Sequence, residues 1–172
     1  MKRIEGNTRW VLVFKYIIVK VAKIDYKRAI MLSKSLYKEG LLYEFLTYEI
    51  DMYSTPQFFL MKGIVANWRE FIRFWRLRSR FLQPTYFSFF GLINIQKKGV
   101  VLQMSDEKCF AQLERIIGDD IWISPHTFGS SQNFCVTGSG KLRVLDYGAS
   151  LSFDLFLRKW GDSIYDEFNI NF

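Results

Sequence analysis

The segment from residue 126 to residue 148 reads HTFGSSQNFCVTGSGKLRVLDYG. Two short apolar runs, NFCV and LRVLDY, lie on either side of Thr137-Gly138-Ser139-Gly140, which is a strong turn signal. This pattern predicts two strands joined by a tight turn. His126 precedes the predicted hairpin, Asn133 begins its first run and Asp146 lies near the end of its second run, so the hairpin can bring polar groups from its two sides together.

Outward from this hairpin, the rest of the chain predicts a mixture of helices and antiparallel strands. The runs WVLVF and YIIVKVA within 10–22 predict a first pair of strands, and YFSFFGLINIQ and VVLQM predict a second pair joined by Lys97-Lys98-Gly99. Apolar residues at three- and four-residue steps predict helices over 26–50 (broken near Gly40), 59–80, 106–117 and 153–168. The order of these elements is α+β.

The segment 126–148 resembles the protein-kinase superfamily. The catalytic loop of that family has a His, an Asp two residues later and an Asn seven residues after the His, and a hairpin then leads to Asp-Phe-Gly. His126 and Asn133 have this separation, and Asp146-Tyr147-Gly148 stands where Asp-Phe-Gly is expected. The resemblance implies one protein-kinase-like domain. Its N-lobe, over 1–104, has a five-stranded antiparallel sheet and a helical insertion at about 25–60, and its much reduced C-lobe covers 105–172.

The same resemblance implies a site for ATP and Mg²⁺. In the family, an Asn of the catalytic loop and the Asp after the hairpin hold the metal ions, which gives Asn133 and Asp146 the role of metal ligands. A lysine on the third strand contacts the phosphates and pairs with a glutamate on the following helix. Lys20 in Ile18-Val19-Lys20-Val21 fits that lysine, and Lys23 is its rival.

The glutamate that pairs with Lys20 has three candidates. Glu70 is favoured because its helix directly precedes the second pair of strands, where the regulatory helix of a kinase belongs. Glu44 and Glu49, on the earlier helical segment, are the competitors.

Three departures from the family bear on activity. Phe128 stands at the position of the catalytic base, and a phenyl ring cannot accept a proton from a substrate hydroxyl. Gly6 is the one glycine near the first strand, where a Gly-rich loop is expected, and only 24 residues (172 − 148) follow Gly148. No catalytic residue is therefore assigned, and His126 is interpreted as a structural brace. Three carboxylates are candidates to replace the base, but their spacing does not support this role: Asp106, Asp119 and Asp120.

These features predict a pseudokinase or a weakly active phosphotransferase. One alternative is a non-catalytic binding or regulatory module, in which the Arg69–Arg80 helix contacts a protein or a nucleic acid; the net charge of +7 permits an acidic partner. The arginines of this helix alternate with aromatic residues, so we expect a solvated basic face and a packed aromatic face. Another alternative is an active small-molecule or sugar kinase.

Composition limits the remaining possibilities. The hydrophobic content of 49% predicts a packed globular protein. Cys109 and Cys135 form no disulfide framework and lack metal-ligand spacing, so they predict buried thiols in a reducing compartment. The apolar stretch 10–22 is interrupted by Lys15 and Lys20 and is too short to span a membrane. The expected location is the cytoplasm.

Overall fold

Two antiparallel sheets and four α-helices form an α+β structure in the part of the chain described by the computed structural model. The described residues are 2–6, 8–39, 56–123, 128–148 and 152–168. The predicted α+β class is confirmed. Within the described helices, no stretch is both long and apolar enough to cross a membrane.

The larger sheet has five antiparallel strands, as predicted, in the order β1-β2-β3-β5-β4. Side chains alternate between its two faces, and Ile18, Lys20 and Ala22 of β3 point to the buried face. The strands of this sheet are β1 (Lys2–Glu5), β2 (Arg9–Val13), β3 (Ile17–Ala22), β4 (Thr85–Phe89) and β5 (Ile93–Lys97).

Two details of the strand prediction are wrong. The run 86–96 is not one strand: it turns at Phe90 and Gly91, which have φ of 47° and 74°, and forms the β4–β5 hairpin. Lys97-Lys98-Gly99 does not close a hairpin but leads from β5 into β6 (Val100–Val101), which belongs to the second sheet. The sequence analysis also did not locate β1.

The second sheet contains the hairpin from which the sequence analysis began. Strand β7 (Phe134–Val136) lies between β6 and β8 (Leu142–Val144), and β7 pairs with β8 across the predicted turn. Leu82 forms a parallel bridge with Val144, so the segment just before β4 is hydrogen-bonded to this sheet.

The four helices are α1 (Tyr26–Lys38), α2 (Pro56–Leu77), α3 (Asp106–Ile117) and α4 (Ser152–Glu167). The prediction over 106–117 is confirmed, and those over 59–80 and 153–168 are correct to within three residues. Helix α1 confirms the first part of the predicted helix over 26–50, whereas 40–55 lies outside the described residues. Asp25 caps α1 by accepting from the backbone N–H of Arg28, and Ser105 caps α3.

Aromatic side chains dominate the core between the second sheet, α3 and α4. Six phenylalanines in this core are at most 1% exposed, and the burial of each side chain contributes about 1.5–3 kcal/mol. This core fixes the hairpin that ends at Asp146 against the helices. The six are Phe81, Phe128, Phe134, Phe153, Phe156 and Phe168.

Helix α2 lies against the larger sheet with a polar face. Asn67, Glu70 and Arg73 are three residues apart, so they share one side of the helix, and all three are buried. Trp68 and Trp75, in contrast, are 43% and 48% exposed. The expectation of solvated arginines and packed aromatics is thus wrong for Arg73, Trp68 and Trp75. The reason is that the buried face of the helix meets charged groups from elsewhere in the chain.

Candidate functional site

A buried ion pair joins the larger sheet to α2. Lys20 Nζ lies 3.0 and 2.9 Å from Oε1 and Oε2 of Glu70, and both side chains are less than 10% exposed. The structure therefore brings the favoured lysine and the favoured glutamate together. Lys23 instead pairs with Glu5 near the surface, and Glu44 and Glu49 lie outside the described residues.

The segment Leu145–Gly148 approaches this ion pair from the second sheet. Lys20 Nζ donates a hydrogen bond to the Leu145 carbonyl at 2.7 Å, and Arg73 donates to the Tyr147 carbonyl. Gly148 packs so closely on α2 that a Cβ at this position would lie 2.6 Å from the Ala66 carbonyl oxygen. Only glycine permits this approach, so close packing against α2 explains why the third residue of Asp-Tyr-Gly is glycine.

The side chain of Tyr147 anchors the same segment beneath the larger sheet. It is fully buried, and its hydroxyl donates to the Gln83 carbonyl at 2.6 Å and lies 2.6 Å from Thr85 Oγ1. Burial raises the pKa of Tyr147, and the neighbouring Glu70 raises it further. The phenol therefore remains protonated and serves as a hydrogen-bonding anchor.

Arg9 joins Lys20, Glu70 and Asp146 in one ionic cluster, which we call the Arg9 cluster. The residue begins β2, and its guanidinium lies 2.6 Å from Glu70 Oε1 and 2.6 Å from Asp146 Oδ1. It also donates to Asn67 Oδ1 at 3.2 Å. Sequence reasoning missed Arg9 because an arginine at a strand end usually remains in water; its one signal is its position directly after the turn that contains Gly6.

The charges of the cluster compensate each other. Burial acts to raise the pKa of Asp146, but the attraction of Arg9 and then of Lys20 outweighs it and holds this pKa well below its usual range. Burial lowers the pKa of Lys20, an effect that Glu70 opposes. For Arg9, burial acts to lower the pKa, but Glu70 and Asp146 raise it above its usual value. Asp146 is thus ionised and Arg9 is cationic at neutral pH.

Asn133 and Asp146, the two predicted metal ligands, lie on hydrogen-bonded neighbouring segments. Asn133 ends a short 3₁₀ segment, Ser131–Asn133, and its carbonyl accepts from the Leu145 backbone N–H at 2.7 Å. The side chain of Asp146 is 51% exposed, so the cluster reaches solvent at this residue.

One oxygen of Asp146 is already engaged by a cation of the protein. Oδ1 accepts a charged hydrogen bond from Arg9, so a metal at Asp146 would have to bind the other oxygen, beside this guanidinium. In the described residues, no group of three or more His, Cys, Asp or Glu side chains is arranged to hold a metal ion. The cation beside Asp146 in this structure is the guanidinium, and the predicted magnesium site stays a prediction.

Phe128, at the position where the kinase resemblance implies a catalytic base, is part of the core and is 1% exposed. His126, the predicted brace, lies outside the described residues. Two of the substitute carboxylates have structural partners: Asp106 accepts from the backbone N–H of Ser131, and Asp120 accepts from Lys159 and Trp160. Neither of these two carboxylates is in an ion pair or hydrogen bond with the Arg9 cluster.

Buried amide side chains hold α2 against the larger sheet. Asn67 Nδ2 donates to the Gly91 carbonyl at 2.8 Å, and Asn94 Nδ2 donates to the Asn67 carbonyl at 2.6 Å. Gln96 donates to the Leu145 carbonyl, the same atom that Lys20 contacts. These bonds fix the register of Glu70 relative to Lys20, since Asn94 is the cross-strand partner of Lys20.

The two cysteines have no role in this cluster. Both are fully buried and unpaired, as predicted, and burial raises the pKa of each thiol to about 12. Because only the thiolate is nucleophilic, neither Cys109 nor Cys135 is a reactive group at neutral pH.

A cleft of about 530 Å³ lies at the far end of β3 from the Arg9 cluster. It runs along the turn between β2 and β3 and the link that follows β5. Its charged lining consists of lysines, so it is separate from the cluster in both position and charge. The residues on its wall include Lys15, Tyr16, Tyr86, Lys97 and Lys98.

Comparisons with known proteins give no relative: no protein-family model, no curated protein and no solved structure matches this chain.

Proposed function

We propose that this chain is a kinase-like protein that binds the phosphates of a nucleoside triphosphate such as ATP and transfers them slowly or not at all. One observation carries the proposal. Lys20, Glu70 and Asp146, which are 50 and 76 residues apart along the chain (70 − 20 and 146 − 70), meet in a single ionic cluster. A lysine, a helix glutamate and an aspartate after a hairpin are the parts that phosphoryl-transfer sites of the kinase type combine.

In this proposal Lys20 is the group that contacts the phosphates. A buried lysine needs an anion, and Glu70 holds its ammonium at the inner face of the larger sheet. All three N–H groups of the ammonium donate within the chain, two to Glu70 and one to the Leu145 carbonyl, so a phosphate oxygen has to take the place of one of these acceptors. Glu70 is thus a positioning residue, and the nucleotide phosphates approach from the side on which Asp146 is exposed.

Slow transfer follows from Phe128. General-base assistance contributes roughly 10²–10⁴-fold to an enzymatic rate, and a buried phenyl ring supplies none. Positioning of the phosphates by Lys20 does not need this base. We therefore expect the chain to bind the nucleotide even though phosphoryl transfer is slow or absent. A binding role is therefore the stronger part of the proposal.

The first prediction is that ATP stabilises the protein against heat. A ligand present at 100 times its dissociation constant adds about 2.7 kcal/mol to the free energy of unfolding, and the melting temperature reports this gain. We expect Lys20→Met to remove the stabilisation by ATP, because the thioether keeps the length of the side chain but has no charge.

The matched control is Lys23→Met, a lysine three residues further along the chain that is paired with Glu5 instead of Glu70. This variant should keep the ATP-dependent shift of the wild-type protein. An unchanged melting temperature of the wild-type protein at saturating ATP would contradict the proposal, and so would an equal shift in Lys20→Met.

The binding-module alternative stays a prediction with one supporting observation, the exposure of Trp68 and Trp75 on α2. Its nucleic-acid form loses support, because Arg73, Arg76 and Arg80 form ion pairs with aspartates of α4. Guanidinium groups that are paired within the chain are less available to phosphates of a nucleic acid. The third hypothesis, an active small-molecule or sugar kinase, also stays a prediction. Incubation with labelled ATP tests it, because an active kinase would label itself or hydrolyse the ATP.

A further inference from the structure

The Arg9 guanidinium contacts two carboxylates in the way that a bridging cation does. It lies 2.6 Å from Glu70 on one side and 2.6 Å from Asp146 on the other. Its side chain is 7% exposed, and Asn67 accepts a further hydrogen bond from it. The cation is therefore part of the packed structure and does not move freely in solvent.

The charge of the cluster depends on this residue. Arg9 and Lys20 contribute two positive charges, and Glu70 and Asp146 contribute two negative charges, so the cluster is neutral. Without Arg9 the sum is −1, and a triphosphate approaching Asp146 would be repelled unless a divalent metal bound with it. The guanidinium removes this requirement because it supplies a fixed positive charge.

The same guanidinium disfavours a metal at Asp146. It lies 2.6 Å from Oδ1, so it occupies one carboxylate oxygen and places a positive charge beside the other, which repels a second cation. Mg²⁺ needs a near-ideal octahedron of oxygen ligands at about 2.0–2.1 Å, and Asp146 offers it only the oxygen that Arg9 leaves open. Guanidinium groups are, in contrast, well suited to phosphates, because their N–H groups form paired hydrogen bonds with phosphate oxygens.

We infer that Arg9 takes the place of the divalent metal beside Asp146, and that a nucleoside triphosphate binds to this cluster without Mg²⁺. The inference rests on the proposed function, because it concerns the same phosphates at the same lysine. It also changes the role of Asp146, which holds Arg9 in position and does not ligate a metal.

The test compares the affinity for ATP in EDTA and in excess Mg²⁺ by isothermal titration calorimetry. We expect the two dissociation constants of the wild-type protein to agree within about threefold. In Arg9→Met we expect binding in EDTA to weaken by about tenfold or more, with recovery when Mg²⁺ is added and Asp146 becomes free to hold it.

Asp146→Asn is the second variant, and it tests the inference even if Arg9→Met does not fold. The amide oxygen of asparagine still accepts from Arg9, but the negative charge is gone. ATP should therefore bind to Asp146→Asn as tightly as to the wild type or more tightly, in EDTA as well as in Mg²⁺. If Asp146 were a metal ligand, the same substitution would weaken binding in Mg²⁺.

Two results would overturn the inference while leaving the proposed function intact. One is wild-type binding that is at least about tenfold weaker in EDTA than in Mg²⁺. The other is a comparable loss of affinity in Asp146→Asn. Failure of the wild-type protein to bind ATP under both conditions would remove the proposed function itself, and the inference with it.

Discussion

Phe128 packs against three other phenylalanines, with ring centroids 4.8 Å from Phe156, 6.0 Å from Phe153 and 6.2 Å from Phe134. The position that the kinase resemblance gives to a catalytic aspartate is thus part of the aromatic core. A phenyl ring in this environment stabilises the fold, and a carboxylate there would have to leave water without a partner. Position 128 is therefore a packing position in this structure.

An aspartate at position 128 should destroy the fold. Loss of a buried phenylalanine side chain costs about 3–5 kcal/mol, and burial of an unpaired carboxylate adds to this cost. Domains of this kind are stable by about 5–15 kcal/mol in total, so we expect Phe128→Asp to be unfolded or barely folded. Near-ultraviolet circular dichroism and urea denaturation measure this effect.

Phe90→Asp is the matched control for this substitution. Phe90 is 73% exposed and has a φ of 47°, a conformation that aspartate adopts more readily than phenylalanine. This variant should unfold at the same urea concentration as the wild type or at a higher one. A folded Phe128→Asp protein with new phosphotransferase activity would show that position 128 is part of the site and not of the core.

The residues of the cluster were predictable to different degrees. Lys20 is the one charged residue in the apolar run Ile18-Val19-Lys20-Val21, and a charge in such a run needs an anionic partner. That signal is local, and it identified one half of the ion pair. Arg9 gives no such signal, because its burial depends on α2 and on the Asp146 segment, which are distant in sequence.

At the scale of elements, arginines of α2 and of the residues that follow it form ion pairs and hydrogen bonds with other parts of the chain. Arg73 is 3% exposed and donates to Asp154 and to the Tyr147 carbonyl, so it connects α2 with both α4 and the Asp146 segment. Arg80, near the end of the same basic stretch, forms a solvent-exposed pair with Asp166. The two arginines look alike in the sequence but lie in opposite environments.

Their substitutions should differ accordingly. Arg73→Ala leaves the buried Tyr147 carbonyl without this donor and removes a buried ion pair, for which a loss of about 3–5 kcal/mol is typical. Arg80→Ala breaks only exposed pairs, with Asp162 and Asp166, which water and salt screen, so the midpoint of unfolding should hardly change. Urea denaturation of both variants measures the difference. Equal midpoints for the two variants would contradict this assignment of α2.

The errors in the strand prediction also have physical causes. The hairpin turn at Phe90 and Gly91 was missed because Phe90 has positive φ without the Asn or Gly that usually indicates such a turn. Gly91 is required for another reason: a Cβ there would lie 2.3 Å from the Ile64 carbonyl oxygen of α2. This constraint is tertiary and cannot be recognised from neighbouring residues.

At the scale of the whole molecule, the Arg9 cluster connects the two sheets. Arg9 and Lys20 come from the larger sheet, Glu70 comes from α2, and Asp146 follows the last strand of the second sheet. The α+β class, the helices and the C-terminal hairpin were predictable from local patterns. The way in which the two sheets meet was not, because it depends on Arg9, on the Tyr147 anchor and on the packing of Gly148 against Ala66.

The most direct test of this account is a crystal structure of the protein with a non-hydrolysable ATP analogue in the presence of EDTA. The account predicts that phosphate oxygens lie about 3 Å from Lys20 Nζ or from the Arg9 guanidinium, on the exposed side of Asp146. A nucleotide bound in the lysine-lined cleft at the far end of β3, or no bound nucleotide at saturating concentration, would contradict it.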